Sequence, residues 1–65
     1  MITHELMTRR RSEALVVALV GLKYAEDWWN SPNKAFDLQT PKQAWAVNYH
    51  TVYNYLMGTA SGNYL

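Results

Sequence analysis

Thr40-Pro41-Lys42-Gln43 carries the clearest local instruction in this chain. A threonine oxygen can accept a backbone N–H from the first helical turn, proline at the first helical position lacks only a donor that has no partner there, and glutamine at the third can reach back to the capping residue. A helix therefore starts at Pro41. Upstream, Ser31-Pro32-Asn33 joins a residue that the following proline pushes out of the helical region to a turn-favouring asparagine. The chain must turn there, which ends a helical stretch from Tyr24 to Asn30. Between the two signals, Lys34 to Gln39 is a connector whose apolar residues, Phe36 and Leu38, are expected to plug back into the core. Downstream, Ala44, Trp45 and Val47 should face inward. After an interruption near Asn48, Tyr49, Val52, Tyr53 and Leu56 share one face of a last helix, with Gly58 and Gly62 marking its end.

Working towards the N-terminus, Leu15, Ala18, Leu19 and Leu22 recur at the three- and four-residue spacing of a helix face, with Val16, Val17 and Val20 on the adjoining faces. Such a helix should be wet on little of its surface. The valines allow a buried strand as a competing reading, but the length of the pattern favours a helix. Thr8 could cap it before Arg9, or Thr3 could cap an earlier start with Glu5 in the first turn. Gly21 either ends this helix or is tolerated within it. The fold class that follows is all-α, a small bundle of about four short helices. Residues 1–24 supply a leader and an apolar helix, residues 25–65 a further helical region, and the two make one compact domain.

The basic start and apolar run from Ala14 to Leu22 imitate a signal peptide. Glu13 interrupts the approach, a cut after Ala25 would put Lys23 where a small residue is wanted, and the run is far shorter than the roughly 20 residues that cross a bilayer. With 65 residues, no cysteine and a net charge of +1, the chain is read as a cytoplasmic domain that has no disulfide to staple it and is no polyanion binder as a whole. His4 and His50 stand isolated in the sequence and give little support for a metal, so a partner subunit is the expected source of extra stability. Three Trp, five Tyr and one Phe are many for so small a core. At least two of these rings are expected to face solvent, where aromatics concentrate binding energy.

Trp28 and Trp29 cannot both face one core from a single helix, because adjacent residues point about 100° apart. The expectation is Trp28 inside and Trp29 half-covered, with burial of both beneath Phe36 as the alternative. Tyr53 and Tyr55 diverge in the same way, so at least one should reach water. Arg9-Arg10-Arg11 is the only charge cluster, open to an acidic protein partner or, as a second reading, to nucleic-acid phosphates. Nothing resembles a catalytic set: there is no Ser/His/Asp or Cys/His arrangement and no glycine-rich phosphate loop, and Glu26 and Asp27 point apart. The reading is of a non-enzyme with no cofactor and no metal.

From Ala25 onward, Ala25, Trp28, Trp29, Pro32, Asn33, Ala35, Phe36, Thr40, Pro41, Val52, Leu56 and Gly62 stand in an order that resembles the C-terminal, toxin-binding domain of the Xre/MbcA/ParS antitoxins. The chain departs from that pattern at Asp37 and Leu38, where the family usually has glycines after the small-hydrophobic pair. It also departs in a slightly shorter, glycine-free interval before Val52. Xre-type members carry an upstream helix-turn-helix, for which the residues before Ala25 leave no room.

The resemblance implies a module that binds a protein partner, a RES-domain toxin that degrades NAD, and occludes it sterically. Trp29, Tyr53 and Tyr55 would then belong to the docking surface, and Gly62, Asn63, Tyr64 and Leu65 would form an inhibitory tail. Those last residues could equally be a frayed end. The size fits a stand-alone inhibitor of phage or mobile-element origin. A homo-oligomer using the exposed rings on itself is a further reading, and no membrane association is expected.

Overall fold

The Thr3 side chain accepts the Leu6 N–H at 3.1 Å, and α1 (His4–Val20) begins there with Glu5 in its first turn. The earlier of the two candidate starts is therefore the one used, and Thr8 lies inside the helix. The structure, a computed structural model, describes residues 3–62. It is all-helical, continuing with α2 (Leu22–Asn30), a 3₁₀ turn at Lys34–Phe36, α3 (Pro41–Val47) and α4 (Tyr49–Ala60). No strand occurs among the described residues, and none of their helices is long and apolar enough to cross a membrane.

Each junction follows from one or two residues. Gly21 separates α1 from α2 with φ 89° and ψ 156°, a combination essentially reserved for glycine; its N–H donates to the Val17 carbonyl at 2.9 Å. Helix α2 closes as the Ser31 hydroxyl donates to the Asp27 carbonyl at 2.6 Å. The capping box at Thr40 is complete: Gln43 N–H donates to Thr40 Oγ1 at 3.0 Å, and Thr40 N–H donates to Gln43 Oε1 at 2.9 Å. Asn48 ends α3 and opens α4, donating its N–H to the Ala44 carbonyl while its side chain accepts the His50 N–H at 3.1 Å. Helix α4 runs through Gly58 to Ala60, so Gly58 sits within its last turns and only Gly62, at φ 80°, lies past the end.

Helix α1 packs on α2 and α4, and α3 bridges α2 and α4. Val16, Trp29, Phe36, Ala44, Trp45, Val52 and Leu56 form the core at their meeting point.

The inward face of α1 is not the one its leucines mark. Thr8, Ser12 and Val16 are buried, whereas Ala18 and Leu19 are exposed and Leu22 is 81% exposed. The Thr8 and Ser12 hydroxyls donate to the His4 and Thr8 carbonyls at 2.9 and 2.8 Å. Satisfied within their own helix, these short side chains bury no orphaned polar atom and leave room for the neighbouring helices.

Two further expectations are corrected. Val47 is 79% exposed, because it points about 110° around α3 from the middle of the buried arc of Pro41, Ala44 and Trp45. Leu38 is 66% exposed; it closes the connector in a left-handed conformation and turns outward, and only Phe36 plugs the core.

Candidate functional site

The connector between α2 and α3 is a self-closed loop organised by Asn33. Its carbonyl accepts the N–H groups of Phe36 and Leu38, each at 3.0 Å, and its own N–H donates to the Gln39 carbonyl at 3.0 Å. Its side-chain oxygen accepts the Ala35 N–H at 2.9 Å. To return so tightly the backbone adopts positive φ at two consecutive non-glycine residues, Asp37 (59°) and Leu38 (67°). This holds Phe36 edge-on to Tyr55, with centroids 5.3 Å apart, and to Trp28 at 6.3 Å.

Beside this loop an open groove of about 540 Å³ is lined by Ala35, Phe36, Thr51, Asn54 and Tyr55. A second hollow of about 320 Å³ shares Ala35, Phe36 and Thr51 with it and extends to Val47 and Asn48. The shared lining combines the Phe36 ring and the Ala35 methyl with the Thr51 hydroxyl; Tyr55 and the Asn54 amide complete the groove, and Lys34 and Asp37 bring charge to the hollow. Such a lining can take an apolar side chain from a partner and fix its orientation by hydrogen bonds.

The two tryptophans are placed the opposite way from expectation. Trp29 is 6% exposed, inside the core and edge-on to Trp45 at 5.9 Å, while Trp28 is half-buried beside Phe36. The cause is Arg9. Its guanidinium carbon lies 4.1 Å from the Trp29 ring centroid and 5.1 Å from that of Trp45, so α1 reaches across and caps Trp29. Trp29 therefore drops out of any docking surface, and Trp28 is the indole of the pair that a partner can touch.

The same geometry divides the arginine cluster. Arg9 is engaged by the two indoles, with its Nε 3.5 Å from Glu13 Oε2, while Arg10 and Arg11 are exposed. A phosphate or acidic contact would have those two to work with. Tyr53 and Tyr55 are both half-buried on different sides of α4, and Tyr55 faces the groove. Gly62 is half-buried, and Asn63, Tyr64 and Leu65 lie outside the described residues.

Thr51 and Asn54 carry no signal in the sequence, and they gain their place only when the connector folds onto α4. The sequence also sets His4 and His50 apart, yet their ring centroids are 6.0 Å from one another. No signal along the chain could have shown either meeting.

Compared with family models, characterised proteins and solved structures, the chain matches none of them.

Proposed function

We propose that this chain is a protein-binding module of the kind that Xre/MbcA/ParS antitoxins direct against RES-domain toxins. It acts by steric occlusion and performs no catalysis of its own. The observation that supports this reading is the backbone at Asp37 and Leu38. The antitoxin pattern has glycines after its small-hydrophobic pair, and in this chain the two residues after Ala35-Phe36 both hold the left-handed conformation that glycine adopts most readily. The agreement is between a sequence habit of the family and a dihedral angle of this chain, and side-chain similarity plays no part in it.

In this reading the groove beside the loop, lined by Phe36 and Tyr55 and with Trp28 next to Phe36, is the docking surface. The segment from Gly62 onward enters the partner's cleft. The test is co-purification of the tagged chain with proteins of its native host at low salt. A stoichiometric partner carrying a RES domain, lost when Thr51→Lys crowds the groove, is the expected result. Recovery of no partner, or of one indifferent to Thr51→Lys, would count against the proposal.

A further inference from the structure

The fold brings the first residue of α1 to the first turn of α4, and one tyrosine organises what meets there. Tyr49 OH lies 3.0 Å from His4 Nδ1 within a shared hydrogen bond. The Tyr49 ring stacks on that of His50, with centroids 4.2 Å apart and planes 28° from parallel. Both imidazoles are exposed, and their centroids stand 6.0 Å apart. On its other face Tyr49 packs against Trp45 at 5.3 Å, so the arrangement is anchored in the core.

From this geometry we infer a binding site for a divalent transition-metal ion of the imidazole-preferring group, zinc, nickel or copper, held between His4 and His50. An ion bound at about 2.0–2.1 Å by one nitrogen of each ring, at a tetrahedral angle, holds the ring centroids about 5.2 Å apart. The observed 6.0 Å is somewhat wider, and a small rotation of the two exposed side chains closes it. With Nδ1 of His4 engaged by Tyr49, Nε2 is the nitrogen left to bind the ion. A ligating imidazole is ordinarily oriented in this way, by a hydrogen bond on its other nitrogen. Stacking on Tyr49 restricts the second ring.

No group of three or more His, Cys, Asp or Glu converges among the described residues, so water completes the coordination. The partial positive charge at two helix starts opposes a cation. The site is accordingly an exchangeable one, and it clamps the start of α1 onto α4. A hard cation that prefers oxygen ligands gains nothing from two imidazoles.

The test is titration of the full chain with zinc chloride, following the thermal unfolding midpoint and the ring proton resonances of both histidines. Magnesium chloride serves as the control. Zinc should raise the midpoint and shift both rings together at one ion per chain, while sedimentation shows no change in mass; magnesium should do neither, and a chelator should reverse the zinc effect.

His4→Gln and His50→Gln should each abolish the shift while leaving the metal-free helical circular dichroism spectrum in place. Tyr49→Phe keeps the stack and loses the hydrogen bond, and should weaken zinc binding by about tenfold. The inference is overturned if millimolar zinc moves neither histidine, if only one ring responds, or if zinc acts by pairing two chains. Because the site shares no residue with the groove, these outcomes are independent of toxin binding.

Discussion

The guanidinium of Arg9 lies 4.1 Å above the ring of Trp29, and this contact fixes which of two adjacent indoles belongs to the core. A cation over a desolvated indole contributes about 2 kcal/mol, and the apolar stem of the arginine covers ring surface as well. Arg9→Ala is therefore expected to lower unfolding stability by about 2 kcal/mol and to shift tryptophan emission to the red. Arg9→Lys should recover only part of the loss, because an ammonium is a compact, strongly hydrated charge without the broad, weakly hydrated guanidinium that lies over Trp29 and Trp45. Chemical denaturation followed by fluorescence measures both effects. Unchanged midpoints would remove Arg9 from the account of the core.

The same contact predicts an asymmetry between neighbours. Trp29→Ala empties a buried site and should cost about 3–5 kcal/mol, enough to unfold a chain of this size. Trp28→Ala, at a half-buried position, should leave a folded protein with cooperative thermal unfolding. Equal damage from the two substitutions would mean that both indoles share the core.

Leu38, bulky and outward, is left-handed at φ 67°, and shares positive φ with only one other non-glycine among the described residues, Asp37. Such a conformation costs an L-residue roughly 1–2 kcal/mol, while glycine carries its own entropic cost of about 0.5–1 kcal/mol in the unfolded chain. Leu38→Gly should be neutral to stabilising by about 1 kcal/mol, with Leu38→Ala gaining nothing. Asp37→Gly should show a smaller gain, since aspartate tolerates this region better. Thermal unfolding of the three variants checks the ordering. A marked loss for Leu38→Gly would contradict the strain.

Gly21 makes the converse case. A Cβ there would meet no atom within 4 Å, so the only obstacle is the backbone at φ 89°. Gly21→Ala should cost about 1–3 kcal/mol with no steric clash, and the loss should appear as weaker docking of α1 on α2. Amide exchange in α1 would report it.

The features legible in the sequence are those that one short stretch determines. The capping box at Thr40, the turn at Pro32-Asn33 and the break at Asn48 all act over a few residues, and the structure has each of them where the residues say; Gly21 left two readings open, and the structure takes the one in which it ends α1. The inward face of α1 was not legible. Its apolar residues surround the helix, so periodicity picks no side, and the side that is buried carries Thr8 and Ser12, whose hydroxyls are satisfied by their own backbone. The order of Trp28 and Trp29 was hidden for a different reason. It depends on an arginine in another helix, and the same holds for the groove between Phe36 and Tyr55 and for the meeting of His4 with His50. Long-range contacts of this kind leave no trace in local spacing.

In the proposed function, the groove that the tightly closed loop builds against α4 is where a RES-domain toxin would dock. The most direct measurement is NAD degradation by a purified RES-domain toxin, titrated with the purified chain. The predicted result is inhibition that completes at a fixed stoichiometry and is lost with Thr51→Lys or on removal of residues 62–65. Undiminished NAD degradation at several-fold excess of the folded chain would contradict it.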